Sequence, residues 1–164
     1  MEAGGRMRAT VDPEFATYVD ARQNRWLRAA YLVYGDPERA EELLLHAFTR
    51  LSLRWGRVDD PDLYVQRILY RAAVSWWSRV PPYRREPADQ EPSDPVVEAL
   101  AGLTSTQRAI LVLMYFEELT EFETSDVLGL SPTAVHGHSQ TAVRRFRGGL
   151  TAGGRGDAAQ GELR

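Results

Sequence analysis

His136, Gly137 and His138 lie inside the stretch Leu130 to Arg147, LSPTAVHGHSQTAVRRFR. Two imidazoles and a run of arginines could hold a metal, move protons or grip an anion. Spacing separates these options. On a helix, residues two apart point about 200° away from each other. His136 and His138 therefore cannot clamp one ion, which needs a spacing of three or four. The third histidine, His46, lies in a different helical block. The chain has no cysteine, which excludes disulfides and thiolate metal sites. Catalysis would need a nucleophile and an ordered partner for the base, and neither is in view. No metal, cofactor or enzymatic activity is expected. What remains is a contact surface, with His136 facing a groove or solvent and His138 at a packing boundary. Gly137 removes a side chain where the helix could approach a surface closely, and weakens the helix by roughly 1 kcal/mol.

The elements that would position this surface are legible. Thr120 to Leu128 reads as a helix, Gly129-Leu130 as a tight turn, and Ser131 as the cap of a second helix to about Phe146. That is helix-turn-helix spacing, with Gly129 as the left-handed residue. In the second helix, Val135, Ser139, Ala142, Val143 and Phe146 share one face and should pack inward. Thr133, His136, Gly137, Gln140, Thr141 and Arg144 share the other. That face is polar, hydrogen-bonding and lightly basic, as a major-groove reader should be; a bland helical hairpin is the alternative.

Stepping along the chain, Asp-Pro occurs at 12–13, 36–37, 60–61 and 94–95. Asp caps helices and Pro is favoured at the first helical position, so each pair is a helix start. The expected helices are Pro13 to about Tyr34, Pro37 to Trp55, and Pro61 to about Arg79. Each has an apolar stripe at helical spacing, and three such helices make a small bundle. The stretch VPPYRREPADQEPSDP follows, with five prolines through Pro95 and little to pack. It reads as a linker. A second helical block then spans Pro95 to Leu103, Thr104 to Glu118, and the two helices already described. Thr104-to-Gln107 and Thr120-to-Glu123 fit the capping box. The fold class is all-α: two small helical domains, one of three helices and one of four, over residues 12–80 and 95–150. Residues 81–94 form the linker. Residues 1–11 and the Gly-rich tail 151–164 are expected to be disordered.

A second constellation lies in YVQRILYRAAVSWWSR. Arg67, Arg71, Ser75 and Arg79 line one side, and Tyr70 and Trp77 an adjacent face away from the inner stripe. Arginines beside exposed rings suit single-stranded nucleic acid. A surface helix with snorkelling arginines is the plainer alternative.

Composition bounds the answer. The chain has 164 residues, 43% of them hydrophobic, enough for a packed core. No apolar run approaches the ~20 residues needed to span a bilayer, and the N-terminal stretch lacks the apolar core of a secretory signal. A soluble, cytoplasmic protein with no membrane partner is expected. All 20 basic residues are arginine, and the net charge is −3. A free-standing DNA-binding domain would usually be basic.

Taken together, AAYLVYGDPERAEELLLHAF, WGRVDDPDLYVQRILYRAAVSWW, LTSTQRAILVLMYFEELTEFETSDVLGLSPTAV and AVRRFR resemble a bacterial RNA polymerase sigma factor of the extracytoplasmic-function type, closest to the two-domain actinobacterial group. The resemblance covers about Phe15 to Leu150, with the linker in the same place. It implies that the first block is sigma domain two, which binds the polymerase clamp and opens the −10 element. The second is domain four, whose helix-turn-helix reads the −35 element and whose outer surface meets the polymerase flap. The implied partners are core RNA polymerase, promoter DNA and an anti-sigma or other regulatory protein. The implied polymerase contacts are Glu42, Leu44, Leu45 and Phe48. The implied DNA contacts are Arg67, Arg71, Ser75, Trp77 and Arg79 in the first block, and Thr133, His136, Gln140, Thr141, Arg144 and Arg145 in the second.

This sequence departs from the pattern in places. Leu45 replaces a hydrogen-bonding glutamine, Arg71 an asparagine, and Thr124-Ser125 an Ile-Ala pair. His136-Gly137-His138 stands for Lys-Ser-His, and Thr141 for an arginine. Fewer phosphate contacts should weaken DNA binding and flatten its salt dependence. Two readings stay open: a working sigma factor, or a sigma-like protein that regulates by protein–protein interaction without promoter recognition. The negative net charge is tolerable in the first, because tethering to polymerase lets weak DNA contacts act at high effective concentration.

Overall fold

The computed structural model describes residues 11–75 and 94–158, with side chains as far as residue 151. These residues form helices and turns, with no strand among them. Each Asp-Pro pair starts a helix. Asp12, Asp36, Asp60 and Asp94 accept backbone N–H groups of the first turns of α1 (Pro13–Tyr34), α2 (Pro37–Ser52), α3 (Pro61–Val74) and α4 (Pro95–Ala101). Gly35 ends α1 in the left-handed conformation, φ 68°, its N–H donating to Tyr31 O at 2.7 Å. α2 stops at Ser52, short of the expected Trp55. The chain turns there into a short 3-10 segment, Trp55–Arg57. That turn lays the Trp55 ring edge-on to Phe15 and tilted against Tyr18, both 5.4 Å away between centroids.

The second block begins with α4 and continues through α5 (Ser105–Leu111). A capping box between Thr104 and Gln107 starts α5. The single helix expected from Thr104 to Glu118 is divided. A π-type turn, Val112–Phe116, follows α5, and Glu117 N–H donates to Val112 O at 3.0 Å. Glu118 then takes a positive φ of 59°. The wide turn swings Glu117 inward, where it is buried. α6 (Glu121–Leu128) and α7 (Pro132–Ala158) complete the chain. α7 runs on past 151, where a disordered tail was expected. No proline interrupts it, and glycine lowers helix propensity without forbidding the helix. Residues 159–164 lie outside the described residues, as do 1–10 and all of the expected linker except Asp94.

The two blocks, read from the sequence as two small domains, share one core among the described residues. Trp26, Ala30 and Val33 of α1, Leu51 of α2, and Val65 and Leu69 of α3 pack in the same cluster as Ile110, Leu113, Val127 and Val135. Polar groups tie the same seam. Arg108 is buried, with Nε donating to Val33 O at 2.5 Å and Nη1 to Leu103 O at 3.2 Å. Burial lowers its pKa, offset by the neighbouring Tyr34. Ser105 Oγ donates to Ala73 O at 3.0 Å. Tyr70, expected as an exposed ring, is 1% exposed and donates to Glu117 Oε1 at 3.2 Å. Its phenol is held well above the usual range, first by burial and then by the Glu117 charge. Arg25 reaches the other oxygen of Glu117. The physical reason for the difference lies in α3. It carries apolar surface on two sides, so a three-helix bundle alone would leave Tyr70 and Ala73 in water. A smaller cluster of Leu100, Leu103, Leu111 and Ala142 holds α4 and α5 to α7.

Candidate nucleic-acid interface

The helix-turn-helix is built by local capping. Thr120 Oγ1 accepts Glu123 N–H at 3.2 Å, and Glu123 Oε2 accepts Thr120 N–H at 2.9 Å. Thr120 Oγ1 also donates to Glu123 Oε2 at 2.7 Å, and the bonds the carboxylate accepts, from the Thr120 backbone first and its hydroxyl second, hold the Glu123 carboxyl below the usual range. Gly129 makes the turn at φ 68°. Ser131 Oγ accepts Ala134 N–H at 3.2 Å and starts α7. Val135 and Ala142 are fully buried and Ser139 nearly so, while Val143 and Phe146 are half-buried. The inner face is the one expected from periodicity.

On the outer face, Thr133, His136, Gly137, Gln140, Arg144 and Arg145 are exposed. Thr141 is half-buried, its hydroxyl donating back to Gly137 O at 3.2 Å. Arg145 Nη1 lies 3.5 Å from Gln107 Oε1, at the flank of the domain. His138 is exposed and not at a packing boundary. His136 is held on both ring nitrogens. Its Nδ1 lies 3.1 Å from each oxygen of Glu121, and its Nε2 lies 2.8 Å from Gln140 Nε2. Sequence reasoning missed Glu121. The helix-turn-helix spacing brings α6 and α7 together, but which residues of the two helices meet depends on the angle between them.

Gly137 stands in open space: a Cβ built there meets nothing within 4 Å. Gly137→Ala is therefore expected to raise stability by about 0.5–1 kcal/mol, read as a higher denaturation midpoint. An unchanged or lower midpoint would show that this helix does not carry the usual glycine cost.

The arginines of α3 have a different setting. Arg67 Nη2 pairs with Asp126 Oδ2 at 2.9 Å. Arg71 donates from Nε to Val127 O at 2.8 Å and from Nη2 to Asp126 O at 3.1 Å. Both arginines thus hold the C-terminal end of α6, where free helix carbonyls attract cations. Ser75 Oγ donates to Ala72 O at 3.0 Å. Trp77 and Arg79 lie outside the described residues. The Thr124-Ser125 pair faces inward, with Ser125 donating to Phe122 O at 2.7 Å and the Thr124 hydroxyl buried without a hydrogen-bond partner.

Of the four residues implied for polymerase, Glu42 and Leu45 are exposed, Leu45 by 69%. Leu44 and Phe48 are core residues, 7% and 8% exposed, because the apolar stripe of α2 is wide enough to include them. Leu53, just past α2, is 79% exposed. Among the described residues, no helix is long and apolar enough to cross a membrane.

Among the described residues the fold is helical, and a polar, arginine-bearing α7 set beyond a glycine turn has the form of a helix-turn-helix. Residues 93–145 match the family described as Sigma-70, region 4. The chain is 31% identical over 155 residues to the RNA polymerase sigma-E factor of Streptomyces coelicolor, covering 85% of this chain and 87% of that one. It is 30% identical over 150 residues to the sigma-E factor of Streptomyces avermitilis, covering 82% and 83%. The sigma-E factor of Streptomyces antibioticus is 28% identical over 149 residues. The chain belongs to the RNA polymerase sigma factors of the extracytoplasmic-function type.

Proposed function

We propose that this chain directs core RNA polymerase to promoters by dividing the work between its two helical blocks. It carries no chemistry of its own. The block ending in α7 reads the −35 element, with Thr133, His136, Gln140, Thr141 and Arg144 toward bases and Arg145 toward phosphate. The first block meets the clamp through α2, and opens the −10 element through Arg67, Arg71, Ser75, Trp77 and Arg79. The groove of about 480 Å³ lined by Leu32, Val96, Leu111, Phe116, Val143 and Phe146 is a seat for the flap or for an anti-sigma protein. Such work belongs in the cytoplasm, beside the polymerase.

The observation that carries this reading is the division of α7: one face closes the core, and the other holds its polar side chains in solvent. Run-off transcription with core polymerase on genomic fragments tests it. Initiation from a discrete set of fragments is expected. A stable polymerase complex that initiates from none would favour the sigma-like regulator instead.

At the clamp-facing surface, Leu45 and Leu53 expose apolar side chains that the core does not use. Leu45→Asp is expected to lower retention in a polymerase pull-down at least several-fold, with the helical circular dichroism unchanged. Charge in place of a buried apolar contact commonly costs 1 kcal/mol or more at an interface, about five-fold in binding. Equal retention would remove Leu45 from the contact.

A further inference from the structure

We propose that Glu121, acting through His136, sets the hydrogen-bonding sense of Gln140 and so selects adenine over guanine at the base pair that Gln140 meets. This rests on the reading of α7 as the base-contacting helix.

The argument follows the protons. An ionised carboxylate only accepts hydrogen bonds. Both Glu121 oxygens lie 3.1 Å from His136 Nδ1, so that nitrogen carries the proton. In the neutral ring the other nitrogen, Nε2, is then an acceptor. Its neighbour at 2.8 Å is the amide nitrogen of Gln140, one helical turn further on, which donates to it. Ser139 Oγ, 3.2 Å from Glu121 Oε1, supports the carboxylate from the buried side. The chain Glu121–His136–Gln140 therefore fixes which end of the amide is turned to the ring. Gln140 Oε1 is left outward as an acceptor, with one N–H still available.

A major-groove adenine offers the amino group at N6 and the acceptor at N7, which this pair of groups matches. Guanine offers acceptors at both O6 and N7, and its O6 would face the outward Oε1. A glutamine free to flip could turn its amino end to guanine; one held by His136 cannot without losing that bond. Glu121 touches no base in this scheme. It is a positioning residue, and its effect should appear as altered base preference rather than lost affinity.

The test is run-off transcription by full-length chain with core polymerase on a responsive promoter carrying all four bases at each −35 position. Wild type, Gln140→Ala, Glu121→Ala and Glu121→Gln are compared. Wild type is expected to favour adenine over guanine roughly five-fold or more at one position, and Gln140→Ala to erase that preference there alone. Glu121→Ala should narrow the ratio several-fold at the same position. Glu121→Gln is nearly isosteric, and its amide can donate to Nδ1, which moves the ring proton to Nε2 and turns the Gln140 amide over. That variant should shift preference toward guanine. If Gln140→Ala changes no base preference, the reading of α7 fails and the inference with it. If Gln140→Ala erases a preference that both Glu121 variants keep in full, the reading stands and the relay is overturned.

Discussion

Trp26→Ala is expected to cost about 3–5 kcal/mol, the usual range for removing a large aromatic side chain from a core. Trp26 is fully buried in α1, and its indole Nε1 donates to Tyr18 Oη at 3.4 Å. Tyr18 in turn donates to Asp62 Oδ1 at 2.9 Å, so the indole also braces the contact between α1 and α3. The truncation opens a cavity in the cluster to which both blocks contribute. Domains of this size are stable by roughly 5–15 kcal/mol, so the loss is a large fraction of the whole. A fall in the thermal midpoint of roughly 6–20 °C should follow. A fall of only a degree or two would mean that the core collapses around the gap, and that the shared cluster is not tightly packed at Trp26.

The second large effect concerns the seam between the blocks. Glu117 belongs to the second block, and both of its partners, Arg25 and Tyr70, belong to the first. Glu117→Ala leaves the buried Tyr70 hydroxyl without its acceptor, and hydrogen bonds to charged groups are worth about 1.5–3 kcal/mol. The Arg25 side chain is 46% exposed, so its share is discounted toward the weak end for ion pairs. The loss falls on the packing of one block against the other, because each helix keeps its own backbone bonds. Small-angle scattering should show a larger radius of gyration for Glu117→Ala at unchanged helical content. Glu117→Gln retains an acceptor for Tyr70 and should lie close to wild type. Identical scattering from all three proteins would show that this network does not hold the blocks together.

Much of the fold could be read directly, and the reason is local chemistry. The four Asp-Pro starts, the two capping boxes and Gly129 act within one turn of the chain, and each sits where the residues alone place it. The inner and outer faces of α7 follow from one period. The π-type turn after α5 has no comparable local signal, so the inward swing of Glu117 was hidden. Tyr70 was misplaced for a related reason. A stripe shows which face of α3 packs first, but not that a second block covers another face. Leu44 and Phe48 show the converse limit: both were expected at the polymerase contact, and both are core residues. The outer residues of α7 were legible as a set, whereas the Glu121–His136 pair, fifteen residues apart in sequence, needed the angle between α6 and α7.

Arg71 carries a further consequence. The Nε and Nη2 N–H groups that Arg71 gives to the Val127 and Asp126 carbonyls cannot also be given to a strand of DNA. On the role proposed for it, the two uses of Arg71 are in competition, and by linkage each weakens the other. A DNA contact that needs those two donors is open only to the separated population, and every 1.4 kcal/mol favouring the packed arrangement would lower the apparent affinity of that contact about ten-fold. A partner that held the blocks apart would remove that penalty, so the same arginine that ties the blocks together would make that contact conditional on the partner.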